Sequence, residues 1–220
     1  DNINCEILKN LNSQNIYTYG ANIKSNFLIQ NIKQNKIYTE FDLKINLPNK
    51  KQRFVKKIKI PLLGIHNVRN AVAASAVAFT VGISIKNIKE GLLNFKGVQR
   101  RFNKIFSYKN VDFYDDYAHH PTEIKFVLDG VSKVYKNYEK VCIFQPHRIS
   151  RLKDLRKNFS FAFKDADTVV LCPIYTAGEK IKLGFNYLNF AKEIIKNSKV
   201  NLFLVNNKFQ LAKFLKNNVH

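Results

Sequence analysis

A chain of 220 residues with 45% hydrophobic content has room for one large domain or two small ones and can build a packed core, which excludes wholesale disorder. Its 37 Lys and Arg against 16 Asp and Glu leave a net charge of +21, which invites a nucleic-acid reading. The lysines, however, run along the whole chain among Asn and Ile. The densest cluster (Lys50, Lys51, Arg53, Lys56, Lys57, Lys59) surrounds an alternating strand and not a recognition helix, so compositional bias with a secondary preference for phosphate-like anions is the stronger reading.

In chain order, residues 3–11 read as the end of a helix, 15–19 as a strand stopped by Gly20, and Phe27–Ile29 as another strand. The clearest alternation follows: Ile37, Thr39, Phe41, Leu43, Ile45 and Leu47 share one face, as in a half-buried antiparallel strand. Pro48-Asn49 turns the chain, and Phe54, Lys56, Ile58, Ile60 and Leu62 alternate back, so residues 15–62 are expected to form a small antiparallel meander. Gly64 opens a helix with Val68, Ala71, Val72, Ser75, Ala76 and Phe79 on one face; Gly82 ends it, and a shorter helix carrying Ile85, Ile88, Leu92 and Leu93 runs to Gly97. Beyond Arg101, strands at 111–115, 140–145, 168–172 and 200–205 alternate with helices at 121–136, 149–164, 186–197 and 207–217, the pattern of a parallel sheet with right-handed crossovers. The boundary falls at Gly97-Val98-Gln99-Arg100.

Cys5, Cys142 and Cys172 have no CxxC spacing, so neither a zinc site nor a disulfide framework is indicated; two of them lie in apolar strand runs, as suits reduced thiols in a cytoplasmic protein. No apolar run is long enough for a membrane span, and the first residues lack the basic start and apolar core of a signal peptide. The sequence has no Met, which suggests a piece of a longer protein, and no GxxxxGK[ST] or GxGxxG loop, so a nucleotide's phosphate cradle is not expected on this piece.

Two strand-to-helix turns concentrate titratable groups: Asp115-Asp116-Tyr117-Ala118-His119-His120-Pro121-Thr122-Glu123 and Phe144-Gln145-Pro146-His147-Arg148-Ile149-Ser150-Arg151. In parallel α/β sheets such turns lie at the carboxyl ends of strands, where ligands bind, so the two read as walls of one site. His119 and His120 are adjacent and point apart, which argues against a metal. Arg148 and Arg151 put positive charge at a helix start, against the dipole, which suggests an anionic ligand. At His66-Asn67-Val68-Arg69-Asn70, Asn67 and Asn70 share a helix face and could read an adenine edge, with Asn67 as a simple N-cap equally open. Arg100-Arg101 could reach a phosphate or stay a solvated pair.

Five blocks occur in order: Gly-x-His-Asn-x-x-Asn-Ala-x-Ala-Ala, Gly-Val-x-Arg-Arg-Phe, Asp-Asp-Tyr-Ala-His-His-Pro-Thr-Glu, Phe-Gln-Pro-His-Arg-x-Ser-Arg and Tyr-Thr-Ala-Gly-Glu. Together they resemble the Mur ligases over nearly the whole chain. Ile149 departs from the Tyr usual in that family and leaves the charged pattern intact. The resemblance implies an α/β fold in two parts. Residues 1–98 would be the rear part of a P-loop-type ATPase domain with a small antiparallel sheet; 99–220 would be a Rossmann-like, mostly parallel C-terminal domain lacking its last strand and helix.

The implied chemistry is ATP-dependent amide ligation in peptidoglycan synthesis, with UDP-N-acetylmuramate and L-alanine as substrates, through an acyl phosphate. The Phe-Gln-Pro-His-Arg block separates this from the muropeptide-recycling branch of the family, which stays a rival, as does a basic nucleic-acid-binding module of a different class. The resemblance puts His66, Asn67 and Asn70 at adenine, Arg101 and Asp116 near ATP, and Tyr117, His119, His147, Arg148 and Arg151 around alanine and the reacting carboxylate. It implies Mg2+ with its ligands mainly upstream, no membrane or nucleic-acid partner, and no ligation by this piece alone.

Overall fold

The computed structural model describes residues 16–98, 100–179 and 185–218; the helix end expected at 3–11 lies outside them. The chain divides into two compact units, residues 1–61 with 66–95, and 62–65 with 96–220.

The first unit holds β1 (Tyr19–Gly20), β2 (Phe27–Gln34), β3 (Thr39–Ile45) and β4 (Arg53–Ile60), in that sheet order, with helices α1 (Ile65–Thr80) and α2 (Ile85–Asn94). β2, β3 and β4 are antiparallel as the alternation predicts, but β1 runs parallel to β2. That departure comes from the loop between them: Asn26 accepts from the Thr18 amide at 2.9 Å and from its hydroxyl at 3.1 Å, folding the chain back beside itself. Along β3, Thr39, Phe41, Leu43 and Ile45 are buried; Ile37 is 76% exposed, because Asn35 Oδ1 accepts the amides of Ile37 and Tyr38 and makes that stretch a turn.

The expected face of β4 is corrected. Val55 is buried and Phe54 lies outside, because the register slips between Phe41 and Leu43. The cause is a bulge at Lys57, whose φ is 55° and whose amide donates to Asp42 Oδ1 at 2.8 Å. The other carboxylate oxygen of Asp42 accepts from Asn31 Nδ2 at 2.8 Å, and Asn31, φ 53°, marks the slip in β2. One central-strand carboxylate thus fixes a bulge on each side. These bonds, Asn31 first and then Lys57, hold Asp42 below the usual carboxylate range.

Helix α1 buries Val68, Ala71, Val72 and Ser75, and Phe79 meets Phe27 edge to face. It starts at Ile65, so Asn67 lies inside the first turn and is not the N-cap. In α2, Ser84 caps the helix by accepting from the Asn87 amide.

The second unit contains β5 (Asn103–Tyr108), β6 (Val111–Asp115), α3 (Pro121–Val134), β7 (Val141–Phe144), α4 (Ile149–Asp154), α5 (Arg156–Ser160), β8 (Thr168–Leu171), α6 (Tyr187–Ser198), β9 (Asn201–Leu204) and α7 (Lys208–Asn218). β7, β8 and β9 form the expected parallel sheet. Strand β6 does not join it among the described residues; it pairs antiparallel with β5. Lys109 and Asn110, φ 45° and 59°, make the two-residue turn, whose positive angles match the twist of a hairpin. β8 is buried at all four positions, as a central strand covered on both faces should be. One face packs Phe144, Val169 and Leu171 with Ile124, Leu128, Phe159, Phe163, Phe190 and Ile194; the other packs Val170, Cys172 and Val205 against Leu211 and Phe214. The helix expected at 149–164 breaks into α4 and α5 at Leu155.

Candidate functional site

Three loops of the second unit carry the chemistry, each leaving the carboxyl end of a strand: 116–120 after β6, 145–148 after β7, and 172–179 after β8.

In the first loop the two oxygens of Asp116 are committed to the backbone: Oδ2 accepts the Phe102 amide at 2.8 Å and Oδ1 the Ala118 amide at 2.6 Å. Asp116 therefore shapes the turn and ties it to the segment carrying Arg101. Burial pushes the Glu123 carboxyl up, but the amides of His119 and His120, then the charges of His119 and Arg101, bring it below its ordinary value. The amide bonds are 3.1 and 3.2 Å long, and with His120 accepting from Thr122 they form a capping box at α3. Arg101 reaches the same carboxylate at 3.9 Å, and His119 Nδ1 lies 2.9 Å from the Tyr117 carbonyl.

The second loop is latched to the third. The Arg148 amide donates to the Tyr175 carbonyl at 2.9 Å, and the Tyr175 amide to the Pro146 carbonyl at 2.8 Å. The rings of Tyr117, His119, His147 and Tyr175 then run in a row across the three loops, with centroid spacings of 5.0, 6.2 and 5.3 Å. Nδ1 of His147 and Nη1 of Arg151 are buried without a hydrogen-bond partner among the described residues. Burial and the neighbouring charges of Arg151, Arg148 and His119 hold His147 below the ordinary histidine range, so its imidazole is neutral near pH 7.

The structure thus gathers Tyr117, His119 and His147 in one row, with Arg101, Asp116, Arg148 and Arg151 on the same loops or beside them. His66, Asn67 and Asn70 lie in the first unit, on the opening turns of α1; His66 and Asn67 are half-buried and Asn70 exposed.

The backbone at the start of α4 is held by an anion of the chain itself: Glu179 Oε2 accepts the amides of Ile149 and Ser150 at 2.8 and 3.1 Å, and Oε1 accepts the Ser150 hydroxyl at 2.5 Å. Sequence reasoning missed Glu179, Tyr175 and Glu123 as site-building residues. Their signal was present only as the Tyr-Thr-Ala-Gly-Glu and Pro-Thr-Glu ends of two motifs. Among the described residues no group of three His, Cys, Asp or Glu side chains could hold a metal ion, and no helix is long and apolar enough to cross a membrane.

Comparison with known proteins gives a coherent result. Residues 100–215 match the model of the Mur ligase glutamate ligase domain, and residues 1–78 that of the Mur ligase middle domain. A UDP-N-acetylmuramate--L-alanine ligase of Pelagibacter ubique is 65% identical over 219 residues, covering 100% of this chain and 47% of the relative. The ligase of the same name from Rickettsia africae is 40% identical over 87% of the chain and 40% of its own length. Among solved structures, the UDP-N-acetylmuramate-alanine ligase MurC of Thermotoga maritima superposes with a TM-score of 0.70 at 28% identity, over 90% of this chain and 41% of that one. The chain spans under half the length of these relatives.

Proposed function

The chain belongs to the Mur ligase family, and from that premise we propose that it is part of an ATP-dependent ligase joining L-alanine to the carboxylate of UDP-N-acetylmuramate. What supports the reading beyond the 65% identity is one feature of the site: a neutral imidazole and a guanidinium, each with a buried polar atom lacking a partner, at the mouth of a parallel sheet. Leaving such atoms unsatisfied costs roughly 1–3 kcal/mol each, a cost that a bound polar ligand removes.

The reaction divides into two steps. The muramyl carboxylate attacks the γ-phosphorus of ATP, the bond to the bridging oxygen breaks, and ADP leaves, giving an acyl phosphate. The amine of alanine then attacks the acyl carbon, and phosphate leaves from the tetrahedral intermediate after the nitrogen sheds its proton. Charge gathers on phosphoryl and carbonyl oxygens, so the protein's task is positioning and cationic stabilisation. We assign the alanine carboxylate and reacting oxygens to Arg148 and Arg151. His147 suits an N–H of the incoming amine, since a neutral imidazole can accept it. Tyr117 and His119 complete the wall. Arg101, with Asp116 shaping its segment, is assigned to the ATP side, and His66, Asn67 and Asn70 to adenine. Residues 1–98 would then be the rear of the ATP-binding domain and 99–220 the amino-acid-binding domain, acting in the cytoplasm, where ATP is supplied. Magnesium enters as the companion of ATP; among the described residues no group of three His, Cys, Asp or Glu side chains is placed to hold it.

The test is phosphate release by the full ligase with ATP and UDP-N-acetylmuramate, each amino acid being offered in turn. Alanine should give the highest kcat/KM. Equal turnover with alanine and with bulky or acidic amino acids, or dependence on a tripeptide, would overturn the assignment.

A further inference from the structure

We propose that Glu179 is a positioning residue for the cationic wall: it fixes the backbone from Arg148 to Ser150 so that the guanidiniums of Arg148 and Arg151 stay free for substrate. The inference deepens the proposed function and rests on it for the substrate's identity, though not for the geometry.

Four observations carry it. First, Glu179 lies about 30 residues beyond the loop it holds, and its carboxylate makes three hydrogen bonds there, accepting from the Ile149 amide, the Ser150 amide and the Ser150 hydroxyl. Second, the bonds fall on the two residues following Arg148, whose φ of 69° and ψ of 130° are rarely adopted by a side-chain-bearing residue. Such a conformation persists only where its surroundings over-determine it. The Tyr175 carbonyl holds the amide of Arg148 from one side, and Glu179 holds the next two amides from the other.

Third, both Glu179 oxygens are used on Ile149 and Ser150; the Ser150 hydrogen bonds first, with help from the Arg148 charge, hold the carboxyl below its ordinary value, but the hydrogen bonds go to the backbone and the Ser150 hydroxyl and not to a guanidinium. Among the described residues of this unit, arginine ion pairs join Arg100 with Asp115, Arg101 with Glu123 and Arg156 with Glu193. Neither Arg148 nor Arg151 is paired with a carboxylate among the described residues. Glu179 therefore offsets the local charge without occupying the forks that would grip an anion. Fourth, the same segment carries Tyr175, which is latched to the Arg148 amide and packs on His147. Tyr175 and Glu179 act on the loop from adjacent points, one at the imidazole and one at the amides.

A purely structural cap would stabilise α4 and leave substrate selectivity alone. A positioning residue would move the same kinetic constant as the arginine it positions. The experiment compares Glu179→Gln, Glu179→Asp and Arg148→Ala in the full ligase, with each substrate varied in turn and the Ile149 and Ser150 amides followed by NMR. A misplacement of about 1 Å costs up to about a hundredfold. Glu179→Gln is expected to raise the KM of the substrate that Arg148→Ala affects by about tenfold or more, with the other two KM values unchanged within experimental error. Glu179→Asp should recover part of the loss, and the double variant Arg148→Ala with Glu179→Gln should lose clearly less than the sum of the two single losses, the remainder passing through Arg151.

If the affected substrate proves to be ATP and not alanine, the division of roles above fails while the positioning stands. If Glu179→Gln disturbs both amides yet leaves every KM and kcat intact, Glu179 is only a cap and the inference is wrong. It is equally wrong if the losses of Arg148→Ala and Glu179→Gln are additive.

Discussion

The backbone of Arg148 sets up a trade between stability and activity that can be measured. With φ 69° and ψ 130°, this residue sits where side chains are strained by roughly 1–3 kcal/mol. Arg148→Gly relieves that strain, while glycine's extra freedom in the unfolded chain takes back roughly 0.5–1 kcal/mol. The side chain is exposed, so losing its stem changes little. The net expectation is a protein more stable by about 1 kcal/mol. The same substitution removes a charge-assisted contact worth about 1.5–3 kcal/mol, hence about a ten- to hundredfold loss in kcat/KM for alanine. Arg148→Ala keeps a Cβ and should show the kinetic loss without the gain in stability. Arg148→Lys should restore activity only in part, because an ammonium lacks the bidentate fork. Urea midpoints read the first quantity, and steady-state kinetics with each substrate varied in turn read the second. If Arg148→Gly is no more stable than Arg148→Ala, the strain argument fails. If the ATP KM rises as much as that of alanine, the assignment of Arg148 to the amino-acid wall fails.

Further outcomes follow from other parts of the molecule. Asp42→Asn should destabilise the first unit by about 1 kcal/mol near neutral pH, given two hydrogen bonds to a half-buried carboxylate. Because its folded-state pKa lies below the unfolded value of about 3.9, the advantage of Asp42 is fully present above that value. It should shrink as pH falls through the lower folded value, so wild-type and variant urea curves should converge in acid; a constant gap at all pH would refute this. Asn67→Ala should raise the ATP KM about two- to tenfold and spare alanine, as the loss of an amide contact of about 0.5–1.5 kcal/mol implies; an unchanged ATP KM removes Asn67 from the adenine side. The 220-residue polypeptide by itself, carrying no GxxxxGK[ST] loop, should release phosphate from ATP no faster than the blank. Turnover on the order of 1 per second would contradict that.

The period-2 face of β3 was readable because burial on one side imposes it, and the parallel run β7-β8-β9 was readable because helices separate its strands. The phase of β4 was not, since the bulge at Lys57 is set by a carboxylate 15 residues away, which no local pattern contains. The β5–β6 hairpin was missed for a related reason: its turn uses Lys109-Asn110 in place of the glycine that usually signals positive φ. In the site, the charged loops stood out by composition, and the structure aligns Tyr117, His119 and His147. What composition could not convey was how those loops are held. Glu179 acts on backbone amides, which every sequence has, so its partners leave no trace in the side-chain pattern.

The bulged, lysine-rich strand β4 bears on the colloidal behaviour of the protein. Among the described residues β4 is the edge of its sheet, with a row of backbone groups that another molecule could pair with. Arg53, Lys56, Lys57 and Lys59 line that edge, and the left-handed kink at Lys57 interrupts its regular ladder. Two such edges brought together would meet with like charges and mismatched pleats, which disfavours strand-to-strand pairing. The lysine-rich edge thus sets neighbouring copies of this sheet against one another by charge. Its protection should weaken in concentrated salt, where charge repulsion is screened within about 3 Å at 1 M, leaving the kink as the remaining safeguard.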